Sequence, residues 1–466
     1  MGNIIFTGKK IIDNSPVATW VAEGGDVTLG AGGLVKQKGD AGVDLLIGQP
    51  PPKDDKATAT VLDAYFARLK DKKYIRTSWG GVGEELYVVV QTSGLAGKEI
   101  GINILDRDGI VVKDKYGLLS VLQDDADKQG KYVTKVRDDN FAIFKLAMKA
   151  KDDKVTEQWR KQIGEAKDKK AYFCLLVDAH SKNTGIQVQY NGKNPPKDHT
   201  SAKADKTNYW LDTEGDWFEL RRKNPVIVID PGHGYTVGNT GAVSFIYTYK
   251  VQGSDGKPEL GPDKQPKTAK ANVMQLPQYV LDAPDTWIIS QREDPDRSER
   301  FLVYDVSAKL KSLLEGEGYT VFITRERGPI KGSDNATTRA ARISMANDNA
   351  ADYFISVHAD GANGNTSTGS HVIYPSSTDA TLTTDCSELA TDLFSSYTIV
   401  AVESTSPKKD VRGLQVLGNS NKTKRKVLAE LGFVTTPKDA KALYGNIDNI
   451  ATQMKNGLVV NIKKHF

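Results

Sequence analysis

From residue 223 onward the chain alternates short apolar runs with amphipathic stretches of helical length, and this grammar restricts its fold more than any other feature. "VIVID" (226–230) leads to "VYDVSAKLKSLLEGEG" (303–318), "YTVFITR" (319–325), "TTRAARISMANDNA" (337–350) and "DYFISVHAD" (352–360). "ELATDLFSSYTIV" (388–400), "KVLAELGF" (426–433) and "NIDNIATQMKNGLVVNIKKHF" (446–466) continue the pattern. Strands separated by helices of this length predict βαβ units, hence an α/β domain with a mostly parallel sheet flanked by helices. Ligands of such sheets bind beyond the carboxyl ends of the strands, which gives a place to look for chemistry.

The half before residue 223 follows another rule. Runs rich in Val, Ile, Tyr and Phe stand at 84–93, 98–109, 140–150, 169–180, 185–192 and 216–222, separated by turn residues. They predict β-rich, sandwich-like modules over 56–222, serving docking or binding. One helix is expected at 154–170, its charges forming a solvated face. Residues 1–55 are a Gly-rich segment ending in "GQPPPKDDK", a linker-like boundary. The expected organisation is therefore multidomain: 1–55, 56–222 and 223–466.

Composition excludes several classes. With 63 basic and 59 acidic residues among 466, the net charge of +4 is too balanced for a nucleic-acid partner, though it would not repel an anionic polymer such as a cell wall. Cys174 and Cys386 cannot build a disulfide framework or a Cys-rich zinc site, and Cys174 inside "AYFCLLVDA" is expected as a buried thiol. No segment has the length and apolarity of a signal peptide or a membrane span, so no membrane insertion is expected and synthesis in the cytoplasm is.

Two of the six histidines stand at matching strand ends: His233 after "VIVID" and His358 after "DYFISV". Both are expected on one rim of the sheet. Neutral imidazole is the commonest metal ligand, and two histidines with one carboxylate and an open position form a standard hydrolytic zinc site. Glu299 begins a helix that leads back to "YTVFITR", so it faces the same rim. An acid favoured by the helix dipole explains it equally well. Glu430 is a lone acid at the end of the apolar run "KVLAELGF", a placement that is costly unless paired or functional.

These blocks, taken in order, resemble the zinc-dependent N-acetylmuramoyl-L-alanine amidases, the family of bacterial cell-separation amidases and many phage lysins. The likeness spans about 224–466. "VIVIDPGHG" is similar to the block with the first zinc histidine, and "GNTGAV" to the turn that follows. Glu299 stands at the position of the zinc glutamate, "TTRAARISMANDNAADYFISVHAD" is similar to the block of the second zinc histidine, and "VLAELGFVT" to that of the catalytic glutamate. The resemblance implies one catalytic Zn2+ held by His233, Glu299 and His358, with Glu430 as general base and then general acid. It implies peptidoglycan as substrate, cleaved by zinc-activated water at the amide joining N-acetylmuramic acid to L-alanine of the stem peptide.

Departures accompany the likeness. Tyr235 stands where the family writes glycine, Val303 where it commonly has asparagine, and 55 residues (244–298) intervene between Val243 and Glu299. Within that insertion "VSFIYTYKVQGSDG" and "DTWIISQRED" are expected to pair as a long hairpin joined by a Pro/Lys-rich loop. A substrate-gripping or gating role and a decorative one stand open. Delivery to the wall is expected by a non-classical route, as cargo of a contractile injection or type VI-like apparatus. The alternatives are a phage-type endolysin, or a non-catalytic amidase-like wall-binding component.

Asp230 is expected either to orient a ligand or to cap a turn, and His371 to be a packed strand histidine. Arg339 and Arg342 are expected at the surface or in a structural role. His180, His199 and His465 are expected as isolated loop or terminal residues.

Overall fold

Alternate residues of the strand Val226–Pro231 face opposite sides, and both sides are apolar. Ile227 and Ile229 enter one core while Val228 enters another. A strand buried on both faces needs cover on both faces, and parallel pairing with crossover helices provides it. In the computed structural model, which describes residues 59–123, 132–183, 185–191, 208–210, 217–234, 239–327 and 338–466, this strand lies inside a six-stranded sheet. The expected segment 1–55 lies outside the described residues.

The sheet runs Thr320–Ile323, Val226–Pro231, Tyr353–Asp360, Arg425–Phe433, His371–Tyr374 and Lys408–Lys409. The first four strands are mutually parallel; His371–Tyr374 runs antiparallel to Arg425–Phe433. On one face Ile227, Ile355, Val357, Val427 and Ala429 meet Val306, Leu310, Leu389 and Leu458 of the helices Glu299–Gly316, Ala380–Leu393 and Ile447–His465. The other face is covered more thinly. There Val228, Phe354 and Leu428 meet Ala346 of the helix Arg339–Asp348, with Val416 and Leu417. His358 and Glu430 fall on this thinner side by alternation.

Two strand ends differ from expectation. His358 lies within Tyr353–Asp360 and Glu430 within Arg425–Phe433, because the parallel ladder carries on past the apolar runs to His358↔Glu430 and Asp360↔Phe433. The helix expected at 154–170 spans Asp153–Glu165. It starts at Asp152, whose carboxylate accepts from the Lys154 amide, and it buries Trp159 and Ile163 on the face opposite the expected solvated charges.

Before residue 222 two sheets share one core. Val61, Phe66, Val88 and Phe144 come from one sheet; Ile102, Phe173, Leu175 and Phe218 come from the other. The twelve-residue strand Ala59–Lys70 is absent from the sequence reading. A bulge between Val61 and Asp63 breaks its alternation and hides the period. The indole of Trp79 crosses into the core of the α/β part, donating to Glu317 O (3.0 Å), and the Arg68 and Arg221 guanidiniums lie 4.4 and 4.3 Å from its ring.

The insertion holds more than a hairpin. Val243–Lys250 and Ile288–Ser298 pair antiparallel as expected. A third strand, Thr268–Asn272, flanks the first, and two short helices, Gln278–Asp282 and Pro284–Trp287, lead from the expected loop into the second. Tyr247, Val273, Val280 and Trp287 form its own core, closed by Ala440 of the helix Pro437–Gly445. Its two ends meet at Val243↔Ser298. Fifty-five extra residues therefore leave and rejoin the domain at one point without spreading it.

Candidate metal centre

Histidine at position 233 is held in a conformation that side chains rarely adopt, with φ at +61°, followed by Gly234 at +65°. Two arginines hold this turn by taking its carbonyls. Arg342 donates to Pro231 O (2.6 Å) and His233 O (2.5 Å), and Arg325 to Pro231 O (3.1 Å) and Gly232 O (2.9 Å). Gly232 serves differently from Gly234: a Cβ there would overlap the His358 imidazole. The glycines around His233 thus provide a turn on one side and clearance on the other.

The turn presents His233 to Glu299. His233 Nε2 lies 2.9 Å from Glu299 Oε1, and His358 Nδ1 lies 3.1 Å from the same oxygen. The two rings are 5.0 Å apart at 73°. Glu299 is the first residue of its helix and is buried, receiving the Ala242 amide on Oε2 (2.9 Å) and the Ala359 amide on Oε1 (3.0 Å). His233 Nδ1 is fixed by Asn239 Oδ1 at 2.8 Å, which directs Nε2 inward. One donor atom from each of His233, Glu299 and His358 falls within 4.8 Å of the other two.

Charge agrees with geometry. Burial pushes the Glu299 carboxyl up, but the hydrogen bonds and charges of His233 and His358 outweigh it and bring its pKa to about 2. Burial likewise lowers His233, and the bond to Glu299 outweighs it and raises the imidazole. A permanently ionised carboxylate beside two imidazoles is a donor set that fits a divalent zinc-class ion.

Glu430 stands next to this cluster. His358, Glu430 and His371 occupy one row across three adjacent strands, since Glu430 registers with both histidines. Glu430 is 6% exposed, and its Oε2 has no hydrogen-bond partner among the described residues. Burial pushes its carboxyl up to about 8, with His358 opposing and Asp360 and Glu299 adding to the rise. A cavity of about 340 Å³ opens onto His233 and His358, bounded by Arg342, Arg412, Leu414 and Val416.

The remaining residues meet expectation in part. Asp230 neither orients a ligand nor caps a turn; it is buried and paired with Arg342 (2.9 Å), Thr324 Oγ1 (2.6 Å) and Ser356 Oγ (2.8 Å). Arg342 is structural and fully internal, while Arg339 is exposed. His371 is packed as expected, but against carboxylates: Glu403 Oε1 at 3.0 Å and Asp360 Oδ2 at 3.7 Å. His465 is not isolated, for its Nε2 lies 3.2 Å from Glu388 in the helix Ala380–Leu393. His180 is exposed, and His199 and Tyr235 lie outside the described residues. Asn239, Arg325 and the Asp230–Arg342 pair went unassigned in the sequence; an arginine ending the strand run "YTVFITR" at the rim was the available signal.

Gly241 tests the packing of the cluster. It has φ at +68°, and a Cβ there would overlap Glu299 Oε2 and the His233 ring. Gly241→Ala is expected to weaken zinc binding by about 10–100-fold while the protein stays folded. Competition with a chelator measures it, and undiminished affinity would show that the cluster tolerates displacement.

Residues 290–459 match the family model described as N-acetylmuramoyl-L-alanine amidase. That stretch contains Glu299, His358 and Glu430; His233 lies upstream of it, across the insertion. An uncharacterized cell wall amidase of Bacillus anthracis is 28% identical over 150 residues, 31% of this chain and 28% of that protein, so the chain spans under a third of that relative's length. Among solved structures, the amidase AmiC2 of Nostoc punctiforme is 16% identical, with 51% of this chain and 97% of that one covered at a TM-score of 0.34. The CwlD amidase of Clostridioides difficile, solved with the GerS lipoprotein, is 20% identical, with 51% and 98% covered at 0.32. The region that carries Glu299, His358 and Glu430 is therefore the part of the chain that is similar to the N-acetylmuramoyl-L-alanine amidases.

Proposed function

We propose that the protein is a zinc-dependent peptidoglycan hydrolase that cleaves the amide between N-acetylmuramic acid and L-alanine of the stem peptide. The observation that carries this reading is the convergence of His233, Glu299 and His358 within 4.8 Å, beside the buried Glu430 carboxylate, whose Oε2 is unbonded among the described residues. His233, Glu299 and His358 would hold the ion, which when bound supplies Lewis acidity toward water and the scissile carbonyl.

The protein's own groups do the rest. Glu299 and the two imidazoles keep a fixed donor geometry because Asn239, Ala242 N and Ala359 N hold them. Glu430 accepts the proton of the attacking water at Oε2 and returns one to the departing L-alanine amine, so the tetrahedral adduct collapses with C–N cleavage. Leu414, Val416 and Leu428 exclude bulk water from one wall of the cavity. For the route to the wall, we propose delivery as cargo of a contractile injection apparatus. The β-rich part, anchored through Trp79, is the element available for docking, and co-purification with sheath or spike proteins tests it.

The central experiment joins two measurements. The purified protein is expected to carry stoichiometric zinc, lost in His358→Ala, and to release from purified cell wall stem peptides with a free L-alanine amine. Peptides cut at an internal bond would move the reaction to another amide. Zinc without any release would leave a wall-binding component.

A further inference from the structure

Arg412 stands at the mouth of the cavity that holds His233 and His358, on a loop fastened at several points. Asp410, itself buried, receives the Arg412 amide on Oδ1 (2.8 Å) and the Leu414 amide on Oδ2 (2.7 Å), while its own amide donates to Tyr374 O (2.8 Å). Val416 and Leu417 then anchor the chain in the core of the thinner face. The tip is thus rigid, yet it presents Val411 at 92% exposure and the exposed Arg412 side chain. The Arg412 guanidinium forms no ion pair among the described residues. It lines the same cavity as His233 and His358.

A fixed loop holding an unpaired guanidinium beside a catalytic cavity is preorganised for a planar anion. The substrate class supplies one: stem peptides carry acidic residues beyond L-alanine, with carboxylates either free or amidated. Arg339 and Arg342 line the same cavity, but Arg342 is engaged by Asp230 and by the carbonyls of the His233 turn, whereas Arg412 holds its guanidinium in solvent at the cavity's edge.

We infer that Arg412 forms a carboxylate subsite, binding a free carboxylate of the stem peptide and selecting acidic over amidated stems. The inference rests on the peptidoglycan reading above. Lysine would keep the charge but lose the two-pronged fit, so Arg412→Lys is expected to retain only part of the preference.

The test uses the zinc-loaded full chain and two soluble muropeptides that differ only in a free or amidated stem carboxylate. The native protein is expected to favour the acid. Arg412→Ala is expected to lose about 10–100-fold in kcat/KM on the acid and far less on the amide. Equal losses on both substrates, or an unchanged preference, would overturn the subsite. Calorimetric binding of both muropeptides in a Glu430→Gln background separates the two readings. If the native protein cleaves neither substrate but R412A still weakens acid binding selectively, the amidase reading falls and the subsite stands.

Discussion

Glu430→Gln is expected to lower stem-peptide release by about 10²–10⁴-fold while leaving zinc content unchanged. The reasoning begins with the row of side chains that the sheet register builds. Glu430 neighbours His358 on one side and His371 on the other, yet it contributes no donor atom to the His233–Glu299–His358 cluster. Its Oε2 is buried and unbonded among the described residues, so one acceptor site of the carboxylate is left for a group that the protein does not supply. Burial drives its carboxyl up to about 8, and a cation held by the neighbouring cluster would act in the opposite direction. Glutamine preserves the shape and removes the titrating proton. The same change relieves a desolvated acid, so the unfolding midpoint in urea should stay level or rise. Loss of activity with undiminished stability is the signature of a group kept for chemistry. Activity within a few-fold of the native protein would remove Glu430 from the reaction, wherever the zinc sits.

How much of this was legible in the chain differs by residue. His233 and Glu299 were readable because each follows or starts an element whose period is strong: a continuous apolar strand and an eighteen-residue helix. His358 and Glu430 were readable as residues but not in their placement, since both sit inside their strands. Their shared row with His371 is a matter of register, which depends on which strands become neighbours and is not written in either strand alone. The insertion's hairpin was visible through its β-branched and aromatic residues. Its third strand, "TAKAN", was not, being short and half polar. Least visible were Arg342 and Asp230. An arginine in "TTRAARIS" reads as one more charge on an amphipathic helix, and only the fold turns that face toward the sheet.

Arg342→Ala is expected to cost about 3–5 kcal/mol of stability and to weaken zinc binding by about 10–100-fold. Arg342 is 2% exposed, and its partner Asp230 is 1% exposed. Removing the guanidinium leaves the Asp230 carboxylate, among the described residues, with the hydroxyls of Thr324 and Ser356, and a buried charge stripped of its counter-ion carries most of the penalty. The carbonyls of Pro231 and His233 lose a donor at the same moment, and Arg325 still reaches only the former. With His233 O released, its φ of +61° has less to hold it, and the imidazole drifts from Glu299. Urea unfolding reads the first effect and chelator competition the second. A double-mutant cycle with Asp230→Asn apportions them: if the carboxylate's lost partner dominates, the double variant should recover a large part of the single variant's stability loss. Zinc affinity should not recover with it, because asparagine at 230 cannot replace the donors that hold the His233 carbonyl. Recovery of both together would mean that the pair acts on the metal site only through overall stability, and that the turn at His233 needs no clasp.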